Sequence, residues 1–138
     1  MPDTYSTPVG EPQHRPPRRP ADARSAVRRV VAERCRARHL PLDAEAMDDA
    51  LLVTSELTTN AILHGGGITG FDVDVDSGGV RVSVSDRSTD LPVAQAPPSG
   101  RPGRHGRGWP IVCRLSRSVD VSELPCGGKR ITAVVPLG

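Results

Sequence analysis

A single α/β domain of three helices and four strands is the fold class the sequence predicts, and three observations carry that prediction. Between residues 21 and 64 apolar side chains recur at the three-and-four spacing of amphipathic helices; from Phe71 the period drops to two; and breaks rich in glycine or proline fall where each pattern stops. At 138 residues the chain is long enough for one domain with a core and too short for two comfortable ones. Only Tyr5, Phe71 and Trp109 are aromatic, so the interior has to be assembled from Val, Leu, Ile and Ala.

Residues 1–20, "MPDTYSTPVGEPQHRPPRRP", hold too little apolar surface to offset ordering entropy and are expected to form a disordered Pro/Arg-rich tail, leaving 21–138 as the domain. From Ala21 to about Arg38 good helix formers place Ala26, Val27, Val30 and Val31 on one stripe, and "HLPL" ends the helix. Asp43 then offers an N-cap for a second helix running to about His64, with Ala50, Leu51, Thr54, Leu57, Ala61 and Ile62 on its core face. "GGG" at 65–67 stops it. Phe71, Val73 and Val75 alternate with Asp72, Asp74 and Asp76; "DSGG" supplies turn chemistry; Val80, Val82 and Val84 alternate again, and the whole reads as an antiparallel hairpin. Asp86 ends the second strand on the valine parity. The Pro- and Gly-rich run that follows, through "GRHGRG", reads as a mobile lid. Helix resumes from Trp109 to about Arg117 with Pro110 in its first turn, and two short strands, around Val119 and Val121 and over "RITAVV", close the chain.

The formal charge is only +2, yet the cations are clustered: six arginines lie between Arg24 and Arg38, and five between Arg101 and Arg117 with no acid among them. Without interleaved aromatic residues such clusters read as solvated faces before they read as a nucleic-acid surface. Cys35, Cys113 and Cys126 are odd in number and widely spaced, which argues against a disulfide framework or a zinc site and for a reducing cytoplasm. No apolar run reaches the length of a membrane span, and no secretory leader is legible at the N-terminus.

One pattern asks for chemistry. Within "SELTTNAILHGG", Glu56, Asn60 and His64 stand at intervals of four and form a polar row beside the apolar stripe. The amide oxygen of Asn60 suits Mg²⁺, which takes one or two protein oxygens and completes its shell with water and phosphates. Glu56, one turn earlier, is placed to accept a proton from a hydroxyl or water near such a phosphate. An ordinary exposed polar face is the alternative for the row taken alone. Asp86, at the end of a buried strand, needs a partner: an adenine exocyclic amine would serve, and so would a strand-end cap. The glycines of "GRHGRG", with Arg104 and Arg107, offer backbone N–H groups and charge to an anion, although most such loops cradle nothing.

Taken in order, these features resemble the GHKL ATPase superfamily, and more narrowly the short anti-sigma-factor serine/threonine kinases and their single-domain relatives. "SELTTNAILHGG" matches the first box of that family, E-L-x-x-N-A-x-x-H-G; "VSVSDRSTDLP" resembles the second and "GRGWPIV" the third, over about residues 24–137. The resemblance implies a two-layer α/β sandwich, with three helices on one face of a mixed, mainly antiparallel sheet of about four strands. It implies Mg²⁺ on Asn60, the adenine amine of ATP on Asp86, phosphates near Gly106 and Gly108 with His64, Arg104 and Arg107 close by, and Glu56 as general base. Ser88 and Asp90 stand where the superfamily has glycines, and Arg130 stands where a Thr helps hold adenine, with Thr132 two residues on in its stead.

The same resemblance implies partners: a small antagonist protein that is phosphorylated, a sigma factor that is held, and a second copy of the chain in a homodimer. Two further functions stay open at this level. One is a nucleotide-binding module that captures a regulator without chemistry; the other, disfavoured, is an arginine-rich nucleic-acid binder whose affinity would fall steeply with salt.

Overall fold

A computed structural model describes residues 15–90 and 104–137 of the chain, and of residues 104–107 the backbone only. Of the expected tail over 1–20, residues 1–14 lie outside the described residues, as does the greater part of the expected lid, 91–103; Pro20, placed in the tail, is already helical. Three helices, α1 (Pro20–Arg38), α2 (Ala44–His64) and α3 (Arg104–Leu115), accompany four strands, β1 (Ile68–Asp76), β2 (Gly79–Asp86), β3 (Ser118–Glu123) and β4 (Lys129–Val135). The strands form one sheet in the order β1-β2-β4-β3 with every pairing antiparallel, so the mixed sheet implied by the resemblance is, among the described strands, antiparallel throughout. The helices pack on the sheet to give the predicted α/β architecture.

Local chemistry explains the boundaries. Pro20 opens α1 at a position where its missing N–H is not needed. The carboxylate of Asp43 accepts from the Ala46 N–H at 2.7 Å and caps α2 as expected. In α1 the buried residues are Ala23, Val27, Val31 and Cys35, a strict interval of four; Ala26 and Val30, placed on the same stripe by the sequence, are half-buried at its edge. In α2, Val53, Thr54, Leu57, Thr58 and Ala61 face the core, but Ile62 is exposed, because the buried stripe ends with Ala61 as the helix reaches its cap. The buried hydroxyls of Thr54 and Thr58 bond back to the Ala50 and Thr54 carbonyls, each at 2.7 Å, and so cost no unmet hydrogen bond.

The fully buried side chains are aliphatic or Thr: Val27, Val31, Val53 and Leu57 from the helices meet Val75, Val80, Val82 and Val135 from the sheet, with Val112 from α3. Phe71 and Trp109 only flank this core. The other face of the sheet is polar, as antiparallel sheets with one wet side are. There Ser83 pairs with Thr132 at 2.9 Å, and Asp74 receives Arg34 and Arg38 from α1. The neighbouring Val75 N–H, followed by those two guanidiniums, holds the Asp74 carboxyl below the usual carboxylate range. Two members of the first arginine cluster are therefore tied to the edge of β1, in a half-exposed setting where ion pairs contribute little.

The hairpin turn makes a demand on one residue. Gly79 has φ 137°, and a Cβ there would lie 2.2 Å from the Val135 carbonyl oxygen on β4. Gly79→Ala should therefore cost about 3 kcal/mol or more in urea unfolding, whereas exposed Ser77→Ala should stay within about 0.5 kcal/mol. Equal stabilities for the two variants would show that the backbone yields freely at this turn.

Candidate functional site

Helix α2 carries the polar row. Glu56 and Asn60 are half-buried on it, and His64 lies exposed in its last turn. Glu56 sits where α3 packs on α2: a Cβ built on Gly108 of α3 would fall 2.5 Å from the Glu56 Oε1. The absent side chain is what allows helix and carboxylate to occupy adjoining space, so Glu56 is partly enclosed at a junction of two helices and is not on an open face.

The far end of α2 meets the end of β2. The Arg87 N–H bonds the Gly65 carbonyl at 2.9 Å, and its guanidinium bonds the Gly66 carbonyl at 2.8 Å, so the helix terminus and the strand terminus are pinned together. Asp86 lies inside this knot, buried. Two glycines make room for it: a Cβ on Gly65 would lie 2.4 Å from the Asp86 Cγ, and one on Gly128, where φ is 91°, would lie 2.1 Å from the Asp86 carbonyl oxygen. The carboxylate accepts the Ser88 N–H on Oδ1 at 2.9 Å.

Its principal partner is a residue sequence reasoning passed over. The Lys129 ammonium donates to both Asp86 oxygens, each at 3.0 Å, with a longer contact of 3.4 Å to the Ser88 carbonyl. The two side chains are only 7% and 5% exposed, so this is a buried ion pair closed off from water. The signal was available: Ile131, Ala133 and Val135 are the inward residues of β4, which puts Lys129 inward too, and β2 pairs Asp86 with Lys129.

Two carboxylates thus stand along one helix, Glu56 near its middle and Asp86 at its C-terminal end. From Glu56 to the Gly65 cap is roughly 13 Å of helix, with Asn60 between. A family model for the histidine kinase-like ATPase domain matches residues 17–135, nearly the whole chain and every element just described. The chain belongs to this family. No curated protein matches it. Membership in the histidine kinase-like ATPase family supports the GHKL resemblance and nucleotide binding, and it is compatible with kinase or ATPase chemistry.

Some of the expected site residues of this histidine kinase-like ATPase domain are brought together and others are not. Glu56 and Asn60 share α2, and Asp86 stands at its end. Thr132 does not join them. It lies on the outer face of the sheet, hydrogen-bonded to Ser83, and Arg130 lies there too, its Nε 3.3 Å from the Ser85 hydroxyl. Strand parity is the reason, since 130 and 132 alternate with the inward 129 and 131.

Helix α3 also starts earlier than its composition indicates. It begins at Arg104, so Gly106 and Gly108 are helical residues and Pro110 is inside the helix, not in its first turn. The fit of Gly108 over Glu56 and the burial of Val112 outweigh the weak local propensity of this run. Gly106 is thereby placed in the opening turns with the backbone of Arg104 and Arg107; the side chains of these arginines lie outside the described residues.

Among the described residues no three His, Cys, Asp or Glu side chains gather as a metal site, and no helix is long and apolar enough to cross a membrane. A cation held by the lone amide oxygen of Asn60, with phosphates and waters for the rest, agrees with the chemistry of Mg²⁺. Asn60 therefore fits the role that the resemblance gives it. Asp86, to which the resemblance assigns the adenine amine, is already bonded to Lys129.

Proposed function

We propose that this chain is an ATP-binding regulatory protein of the anti-sigma-factor type, which transfers the γ-phosphate of Mg-ATP to a serine or threonine of a small antagonist protein. The observation that carries this reading is the placement of Glu56, one turn from Asn60 on α2 and partly enclosed by α3 at Gly108. In that position a carboxylate can take the proton of an incoming hydroxyl, while Asn60 supplies an oxygen to the cation and the opening turns of α3, at Gly106 and Gly108 with Arg104 and Arg107, supply N–H groups and charge to the phosphates. Bound Mg²⁺ would neutralise charge developing on the transferred group. A cytoplasmic setting, a held sigma factor and a homodimer complete the proposal.

A second reading has one observation in its favour. Closure of Asp86 by Lys129 suits a module that holds nucleotide loosely and whose output is capture of a sigma factor or another regulator, without phosphoryl transfer.

Calorimetry of ATP and ADP with and without Mg²⁺ tests the common ground. Native protein should bind ATP more tightly in Mg²⁺, and Asn60→Ala should lose that magnesium dependence, with affinity in Mg²⁺ falling about tenfold, equivalent to about 1.4 kcal/mol. If native protein ignores both nucleotides, the reading fails. Labelled γ-phosphate appearing on the antagonist then separates kinase from capture module.

A further inference from the structure

We propose that Lys129 is a resident cation on the base-reading carboxylate, so that this domain grips a nucleotide by its phosphates and does not discriminate adenine from guanine. The inference rests on the nucleotide reading above and concerns the regulation of that same site. A carboxylate at the base end of a pocket selects adenine for a simple reason: it accepts from the exocyclic amine, whereas guanine presents a carbonyl oxygen at the equivalent ring position and is repelled. That selection requires the carboxylate to be available.

In this protein Asp86 is largely occupied, with three of its roughly four acceptor positions filled. Oδ1 takes both the Ser88 N–H and the ammonium, Oδ2 takes the ammonium as well, and the third ammonium proton points towards the Ser88 carbonyl. Every donor on Lys129 is thus used within the protein. The arrangement is built into the backbone and is not a chance contact of a long side chain. Register pairs Asp86 with Lys129 across β2 and β4, and Gly65 and Gly128 on either side lack the side chains that would push the strand ends apart. For Asp86 to read a base as a free carboxylate does, the base would have to displace an ammonium from a buried, low-dielectric site, where a charge-assisted bond is at its strongest.

Lys129 is accordingly a specificity-determining residue. With the ammonium in place the charge of Asp86 is offset, and both the attraction for an adenine amine and the repulsion of a guanine oxygen are weakened. Lys129→Thr would remove the cation and leave room and a hydroxyl beside the carboxylate, whereas Lys129→Arg would keep a cation there.

The test is a pair of titrations, Mg-ATP and Mg-GTP, on the native chain and both variants, with circular dichroism to establish folding. Native protein should bind the two nucleotides within about threefold of each other, Lys129→Arg should do the same, and Lys129→Thr should prefer ATP by at least about tenfold. Native protein that already prefers ATP tenfold overturns the inference while leaving the nucleotide reading intact, and so does a folded Lys129→Thr variant whose ratio does not move. If that variant does not fold, the native ratio alone decides. If neither nucleotide binds native protein, the inference, which has the native chain grip a nucleotide, is overturned even where Lys129→Thr binds ATP. If nothing binds to any of the three, the nucleotide reading has failed and the inference falls with it.

Discussion

Asp86→Ala should lower the free energy of unfolding by about 3–5 kcal/mol, and adding Lys129→Met to it should recover most of that loss. The asymmetry follows from where the pair sits. Both side chains are almost wholly removed from water, so deleting the carboxylate strands an ammonium whose hydration was surrendered on folding and whose one remaining contact is the 3.4 Å approach to the Ser88 carbonyl. Replacing both members by apolar groups removes the stranded charge with its partner, leaving only a change in packing. Asp74 is the control: its ion pairs with Arg34 and Arg38 are half-exposed, so Asp74→Ala should cost less than about 1 kcal/mol. Urea titrations of the four proteins, with m-values compared, read the result. A loss below about 1 kcal/mol for Asp86→Ala, or a double variant weaker than the single, would show that water reaches the pair and that it is not a closed element of the fold.

The parts of this architecture that could be read directly are those in which a local pattern and tertiary packing agree. Valine alternation marked both strands of the hairpin because one face is buried and the other wet, and Asp43 marked the start of α2 because an orphan N–H needs an acceptor. The polar row on α2 was legible for the same reason, since Glu56 and Asn60 recur at an interval of four beside an apolar stripe. Asp86 was legible as a carboxylate in need of a partner. What the partner would be was harder, because Arg130 and Thr132 are the more conspicuous residues in "GGKRIT", and only parity counted back from Ile131, Ala133 and Val135 turns Lys129 inward. The opening turns of α3 escaped for a different cause: Gly-Arg-His-Gly-Arg-Gly has poor intrinsic helix propensity, and the stabilising contacts, with Glu56 and through Val112, come from residues distant in sequence. Ile62 illustrates the opposite error, an apolar residue at helical spacing that falls beyond the end of the buried stripe and remains exposed.

Glu56→Gln should reduce transfer of γ-phosphate to the antagonist by about 10²–10⁴-fold while changing ATP affinity by no more than about threefold. An amide keeps the size and the hydrogen-bonding reach of the carboxylate but cannot accept the hydroxyl proton, so an effect confined to the rate of transfer identifies proton acceptance, not packing, as what is lost. Gly108→Ala probes the same group without touching it. The new methyl would occupy the space 2.5 Å from Oε1, and because the carboxylate is the far end of a flexible side chain it can swing aside at small cost. Alanine is also the better helix former by about 1 kcal/mol, so the variant should be as stable as the native protein or slightly more so. Its transfer rate should nevertheless fall, since a proton acceptor displaced by an ångström from its substrate loses much of its advantage. Stability held and transfer lost would place the chemistry in the position of one carboxylate. Transfer at the native rate in both variants would remove Glu56 from the reaction and leave the domain as a nucleotide-dependent capture module.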